Sequence, residues 1–422
     1  MKSLRNKLMW LLMLSVTSLT AWSQQVLAIR AARVFDGQEI HTNWTVVVEG
    51  DHIVFAGPST DAKEARNAIV KEYPNGTLIP GMIEGHAHLL LHPYNETPWD
   101  EQVMKESDAL RVARATVHAR KSLEAGFTTV RDLGSEGAGY ADVGLKNAID
   151  QGIIPGPRLL VAGRAIVATG SYGPKGFDTD FDVMLGAEAA DGNDLIKVTR
   201  DQIGKGADIV KIYADYRWGR NDTAMPTFST EEIKLAVETA RSSGRPVVAH
   251  AVTADAMTRA VNAGVETIEH GDFGDDAVFA LMKSRGVALC PTLAAGDAIS
   301  RYKGWKPGMP EPERIRTKRE SFRRALASGV TICAGGDVGV FAHGENAREL
   351  ELMVEYGMKP IDVLRSVTST NARVFHLDDQ VGTIAVKKLA DLVVVEGDPS
   401  QNIAQLRKVV AVFKSGMEVA KN

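Results

Sequence analysis

Apolar and polar positions follow two textures along this chain. Near both ends they alternate with period two in short runs. One stretch runs from Val26 to about Tyr73 and holds TVVVEGDHIVFAGP; the other starts near Gly382 and holds GTIAVKKLADLVVVEGDPS and VVAVFKSGMEV. Such alternation predicts half-buried strands. Apolar runs at 46–48 and 53–55 flank Glu49-Gly50-Asp51, which predicts a hairpin. Neither end has enough residues to bury a core alone. The two are therefore expected to complete one small β-sandwich from residues 24–77 and 382–422.

Between them, over residues 78–381, the pattern switches to strands alternating with helices. Apolar runs occupy 78–83, 128–133, 158–162, 208–213, 246–251, 265–269, 287–293 and 330–334. Helical periodicity follows most of them, at 107–125, 194–205, 230–242, 254–263, 275–284, 313–327 and 345–355. Ser229 or Thr230 suits the cap of one helix, and Gly126, Gly206, Gly244, Gly264, Gly286, Gly329 and Gly357 stand where left-handed helix ends are wanted. Eight strand candidates alternating with helices predict a (β/α)8 TIM-type barrel in the α/β class. A doubly wound open sheet is the structural alternative. No GxGxxG or GxxxxGK[ST] string follows a strand, so the nucleotide-binding support for that alternative is missing.

Composition adds boundaries. The 422 residues carry a formal net charge of -4 with both signs interspersed, and 44% are hydrophobic. A large core is available, but there is no electrostatic footprint for nucleic acid or an anionic membrane. Lys2, Arg5 and Lys7 precede an apolar run from Leu8 to about Trp22, and Ala21-Trp22-Ser23 fits small-x-small cleavage. Residues 1–23 read as a secretory signal, with an uncleaved anchor as the alternative, which implies a periplasmic or secreted protein. Two cysteines cannot build a disulfide framework. Export to an oxidising compartment would allow Cys290 and Cys333 to pair, but both lie in apolar runs and are expected to be buried free thiols.

The chemistry gathers at strand ends. His86, His88, His250 and His270 all fall at or just past the C-terminal ends of predicted strands. In a barrel those ends share one mouth. His86 and His88 are two apart on extended backbone, so their side chains leave on one face. Asp337 closes TICAGGD at the eighth strand, where Gly335-Gly336 lets backbone approach closely. Imidazoles with a carboxylate are ordinary zinc ligands. Lys211 sits in the apolar run IVKIY. Buried in a barrel, its amine loses protonation. A neutral amine can add CO2 to give an anionic carbamate able to bridge two cations, or it can attack a carbonyl to form a Schiff base. Four nearby histidines favour the metal.

In that order, PGMIEGHAH, IVKIY, VVAHA, IEHG and GGD resemble the metal-dependent amidohydrolase superfamily, and AVKKLADLVVVEGDP resembles the close of its composite β-domain. Within it the pattern is most similar to the imidazolonepropionase-like and Xaa-Pro dipeptidase-like group. RAIVATGSYGP, YADYRWG and CPTLAA are similar to bacterial ochratoxin A-hydrolysing amidohydrolases. The resemblance covers nearly the whole chain after the leader. It implies two zinc ions, His86 and His88 on one, His250 and His270 on the other, and N-carboxylated Lys211 bridging both. Asp337 would touch the first metal and act on the nucleophile. It also implies a homo-oligomer. Two departures stand out: Glu84-Gly85 replaces the aspartate that precedes HxH in many relatives, and Thr169-Gly170-Ser171-Tyr172 replaces a histidine-containing loop.

The mechanism expected from such a site is metal-assisted hydrolysis. Two cations share a water and lower its pKa. Asp337 then takes the proton and returns it to the leaving amine as general acid/base. His343 could hold the oxyanion or substrate, Tyr213 shares the inward face with Lys211, and Tyr172, Tyr216 and Arg217 could line the specificity pocket. Arg217 is the candidate for a substrate carboxylate, which its fork suits. His118, His41 and His52 read as structural, His92 suits either role, and the basic run 314–324 reads as a solvated helix face. The leading substrate is a small-molecule amide: a dipeptide or N-acyl amino acid losing its C-terminal residue, an aryl amide such as ochratoxin A included. A cyclic amide or lactone hydrolase and a non-catalytic binding protein are the alternatives.

Overall fold

A computed structural model describes residues 26–420 apart from residue 179. The predicted signal, 1–23, lies outside the described residues. Strand Val26–Phe35 pairs antiparallel with Trp44–Glu49, which turns through Gly50-Asp51 into His52–Pro58, as the hairpin signal predicts. Ile69–Pro80 lies parallel to the first of these strands on its other side. Leu392–Glu396 then pairs antiparallel with Ile69–Pro80, and Val409–Lys414 follows it. Both chain ends thus share one eight-stranded sheet. It has its own core, which includes Ile29, Val46, Ile53, Leu78, Leu392 and Phe413.

The apolar run at 78–83 is not one strand. It divides at Gly81 into the end of Ile69–Pro80 and the start of the first barrel strand, Met82–Ala87. The split has a steric cause: a Cβ at Gly81 would stand 2.1 Å from Thr128 Oγ1, so only glycine lets the chain step from one sheet into the other. Gly81→Ala is expected to cost about 1–3 kcal/mol, as overpacking of a filled interior does. Thermal unfolding measures this, and an unchanged midpoint would contradict it.

From Met82 the strands run parallel in sequence order. Phe127–Asp132 pairs with the first strand, and Arg158–Val161 with the second. Val161 O accepts the Asp208 N–H, which brings in the fourth strand, Val210–Tyr213. Val247–Thr253, Thr267–Phe273 and Ala288–Cys290 follow in register. The eighth strand is a loosely paired segment that bridges Leu289 to Ile332 and Val338 to Ala87, closing the ring. The barrel is therefore complete. Its strands are buried on both faces, which is why their sequences read as apolar runs rather than alternations.

Helices cover the outside. Ser229 and Glu232 form a reciprocal capping box, and Gly264, Gly286 and Gly329 end their helices in the left-handed conformation. One predicted strand, 287–293, is too long. It stops at Cys290, because Thr292 adopts a left-handed backbone and caps the helix Leu293–Tyr302. Cys290 and Cys333 are buried free thiols. Among the described residues no helix is long and apolar enough to cross a membrane.

Candidate metal centre

At the C-terminal mouth, His86, His88 and Asp337 bring ligand atoms within 4.8 Å of one another. Close strand approach makes this possible. A Cβ at Gly85 would meet Ala334 O at 2.6 Å, and one at Gly335 would meet the His86 nitrogen at 2.7 Å. Each ring is aimed by its far nitrogen. His86 Nδ1 donates to Glu269 Oε2 at 2.8 Å, and His88 Nδ1 donates to the Gly134 carbonyl at 2.9 Å. Both Nε2 atoms then face Asp337 Oδ1, at 3.7 and 3.4 Å. Asp337 itself holds a left-handed backbone, φ 62°.

A second group adjoins the first. The rings of His86 and His270 lie 5.2 Å apart, and those of His270 and His250 lie 4.4 Å apart. His270, also left-handed at φ 77°, donates Nδ1 to Thr292 Oγ1 at 2.7 Å and keeps Nε2 available. His250 is turned the other way. Its Nε2 lies 3.6 Å from Asp215, while its Nδ1 is buried without a partner. Lys211, on the neighbouring strand, is fully buried, and its Nζ has no hydrogen-bond partner either. Two orphaned buried nitrogens beside four oriented imidazoles and a carboxylate form a donor set that suits cations.

The electrostatics agree. Burial, then the Lys211 charge, holds His86 down to about 4. Burial and neighbouring positive groups hold His250 and His270 well below the ordinary value, and burial lowers Lys211. Metal binding requires imidazoles in their neutral form, and burial of Lys211 moves its amine towards the form that can take up CO2. Burial opposes charge on His88 too, but the Asp337, Glu136 and Asp132 carboxylates prevail and raise it to about 9. Burial likewise opposes charge on Asp337, which His86, His88 and Lys211 nonetheless draw down to about 2.

Several supporting residues escape sequence reasoning. Glu269 orients His86 and pairs at 2.8 Å with Arg131, whose Nε donates to Gly85 O. Glu84 accepts from the backbone of His86 and Gly336 and from Asn346, and so ties the first strand to the eighth. Arg131 and Glu269 each lie on strands that carry other polar residues, so no sequence signal singled them out. Lys318 corrects the reading of 314–324 as a solvated face: it is 6% exposed and donates to Asp272 and to Thr292, the partner of His270. No periodicity marks one buried lysine in a charged helix.

The pocket candidates are spread out. Tyr213 is buried and stacks on His250 at 4.4 Å. Tyr172 is buried, packs on Tyr213 and Tyr216, and donates its hydroxyl to Glu136 at 2.8 Å. Arg217 is exposed, its guanidinium 5.6 Å from the Tyr216 ring centre. His343 is buried, donates Nε2 to Leu91 O at 3.1 Å and stacks on His118. His92 is held by Glu96 and Glu106. His41 bonds Asp36 and stacks on Trp44, away from this cluster.

A parallel barrel with histidines and a carboxylate at its C-terminal mouth defines a metal-dependent hydrolase class. The profile of the amidohydrolase family matches residues 77–419, and the chain belongs to that family, a hydrolase of amide bonds. Among solved structures, a Xaa-Pro dipeptidase with methionine bound in its active site is similar at TM-score 0.83 and 29% identity, covering 94% of this chain and 100% of that one. The ochratoxinase of Aspergillus niger is 26% identical over 412 residues, 90% of this chain and 83% of that protein. Its crystal structure gives a TM-score of 0.80, covering 93% of this chain and 95% of that one, at 25% identity. An uncharacterized protein of Mycobacterium tuberculosis is 28% identical over 356 residues, 82% of this chain and 85% of its own length.

Proposed function

We propose that this chain is a two-zinc amidohydrolase that releases the C-terminal amino acid from dipeptides or N-acyl amino acids, ochratoxin A among the latter. The observation that carries this reading is Lys211, a buried amine without a hydrogen-bond partner on the strand paired with that of His250. As a neutral amine it adds CO2, forming an N–C bond and releasing one proton. The resulting carbamate, an anion with two oxygens, would join the histidines and Asp337 in holding the ions. His86, His88 and Asp337 would hold one ion, and His250 and His270 the other. Bound zinc supplies a water of lowered pKa and polarises the carbonyl.

The chain's own groups do the rest. Glu269 and Gly134 O fix the two imidazoles through Nδ1, so neither ring needs to reorient during the reaction. Asp337 takes the proton of the attacking water and delivers it to the leaving nitrogen. Tyr213, beside His250, faces the substrate, and Arg217 is the cation for its carboxylate. Tyr172 acts through Glu136. His343 was expected to be catalytic; its bond to Leu91 O suits it better to positioning the loop that follows His88. Export after cleavage near residue 23 and assembly of homo-oligomers belong to the same reading.

The test is a screen of dipeptides and N-acyl amino acids, scored by amino acid released, with metal analysis of the same sample. Two metal equivalents per chain and loss of hydrolysis on chelation, restored by zinc, are expected. A chelated protein should also melt at lower temperature, because an ion bound only by the folded state stabilises it. A protein without metal that hydrolyses nothing would overturn the reading and favour a binding role.

A further inference from the structure

Glu136 stands in the loop after the second barrel strand and is 3% exposed. Its backbone is left-handed, φ 48°, an unfavourable state for a residue with a side chain. Arg111, itself buried, fixes it there by donating to the carbonyls of Glu136 and Ser135 at 2.7 and 3.1 Å. The carboxylate is then held from one side only. Tyr172 OH and Trp99 Nε1 both donate to Oε2, at 2.8 and 2.9 Å. Oε1 accepts none of the described hydrogen bonds. Its polar neighbour is His88 Nδ1 at 3.9 Å, beyond hydrogen-bond reach, and that nitrogen already donates to Gly134 O. Glu136 therefore does not orient the His88 ring. Among the described residues no lysine or arginine pairs directly with its carboxylate; its charged neighbours are the His88 ring at 3.9 Å and Arg111, which bonds its backbone carbonyl instead, so Oε1 has room for a direct cationic partner.

We infer that Glu136 Oε1 receives the free α-ammonium of a dipeptide, which makes dipeptides rather than N-acyl amino acids the preferred substrates. The inference rests on the hydrolase reading above and chooses between the two substrate classes it leaves open. The geometry fits. Only the width of the His88 ring separates Oε1 from the ligand cluster, since His88 Nε2 faces Asp337 at 3.4 Å. In a dipeptide the ammonium is two bonds from the carbonyl under attack. A carboxylate one ring away from the ligands meets it there. Tyr213 and Tyr216, packed around Tyr172 at 4.8 and 4.7 Å, give the same corner an aromatic wall, which also favours a cation. An N-acyl group brings no charge to this corner and leaves Glu136 buried without its partner.

The experiment compares a dipeptide with its N-acetyl analogue on the zinc-loaded full chain, first in the wild type and then in Glu136→Gln. The wild type is expected to favour the free amine in kcat/KM by about tenfold or more, since a charge-assisted bond is worth about 1.5–3 kcal/mol. Glu136→Gln should shrink that preference by about tenfold or more, chiefly through KM, with metal content unchanged. Equal use of both substrates by the wild type overturns the inference without any variant. An equal loss on both substrates, or a loss of zinc, also overturns it and assigns Glu136 to the metal centre; the hydrolase reading survives either result. If the zinc-loaded wild type cleaves neither substrate, the proposed release of C-terminal amino acids falls and the inference with it, while the family assignment stands.

Discussion

Lys211→Ala is expected to reduce hydrolysis to background. The substitution removes the group proposed to join the two metals, and His250 with His270 alone offers the second ion too few ligands. Because Lys211 Nζ makes no hydrogen bond in the folded protein, little else depends on it. Adding a short carboxylic acid should restore part of the activity by placing two oxygens where the carbamate stood. Metal content and rate, measured with and without the acid, check this. A competing outcome is equally concrete: if borohydride traps a substrate adduct on the wild-type protein, Lys211 is a Schiff-base nucleophile and the two-metal reading is wrong.

Asp337→Asn should lower kcat by about 10²–10⁴-fold, the usual contribution of a positioned general acid/base. Asparagine keeps the size and one oxygen near His86 and His88 but cannot accept and return a proton. KM for the dipeptide should change little, because the role lies in the reaction step and not in binding the substrate. Steady-state kinetics beside metal analysis tests it. A kcat within tenfold of wild type at full metal content would remove Asp337 from proton transfer.

The six proposed ligands were legible because each obeys a local rule. His86 and His88 share a strand face by period two, His250, His270 and Asp337 sit where an apolar run ends, and Lys211 is the one charged residue within IVKIY. The structure brings His86, His88 and Asp337 together and places His270 and His250 alongside. Sequence pattern was blind to what is not periodic. Glu136 looks like any loop glutamate, and its importance comes from a left-handed turn, a buried arginine and two aromatic donors, none adjacent in the chain. Lys318 looks like a surface lysine because the residues it reaches lie on other elements. The junction at Gly81 was hidden for a similar reason: apolar residues continue across it while the sheet changes. Thr292, which cuts the seventh strand short, carries no turn composition of its own.

The shared sheet at the chain ends also bears on how the molecule assembles. Ile79 pairs with Val393, so strands about three hundred residues apart must meet before that sheet is whole. A chain emerging from synthesis offers Ile69–Pro80 early, with its hydrogen-bonding edge unpaired until Leu392–Glu396 arrives. Such long-range pairing slows folding and leaves an edge open to neighbouring chains. Refolding should therefore be slow and its yield should fall as protein concentration rises, and a chain stopped before Leu392 should aggregate even though its barrel strands and all the proposed ligands are present.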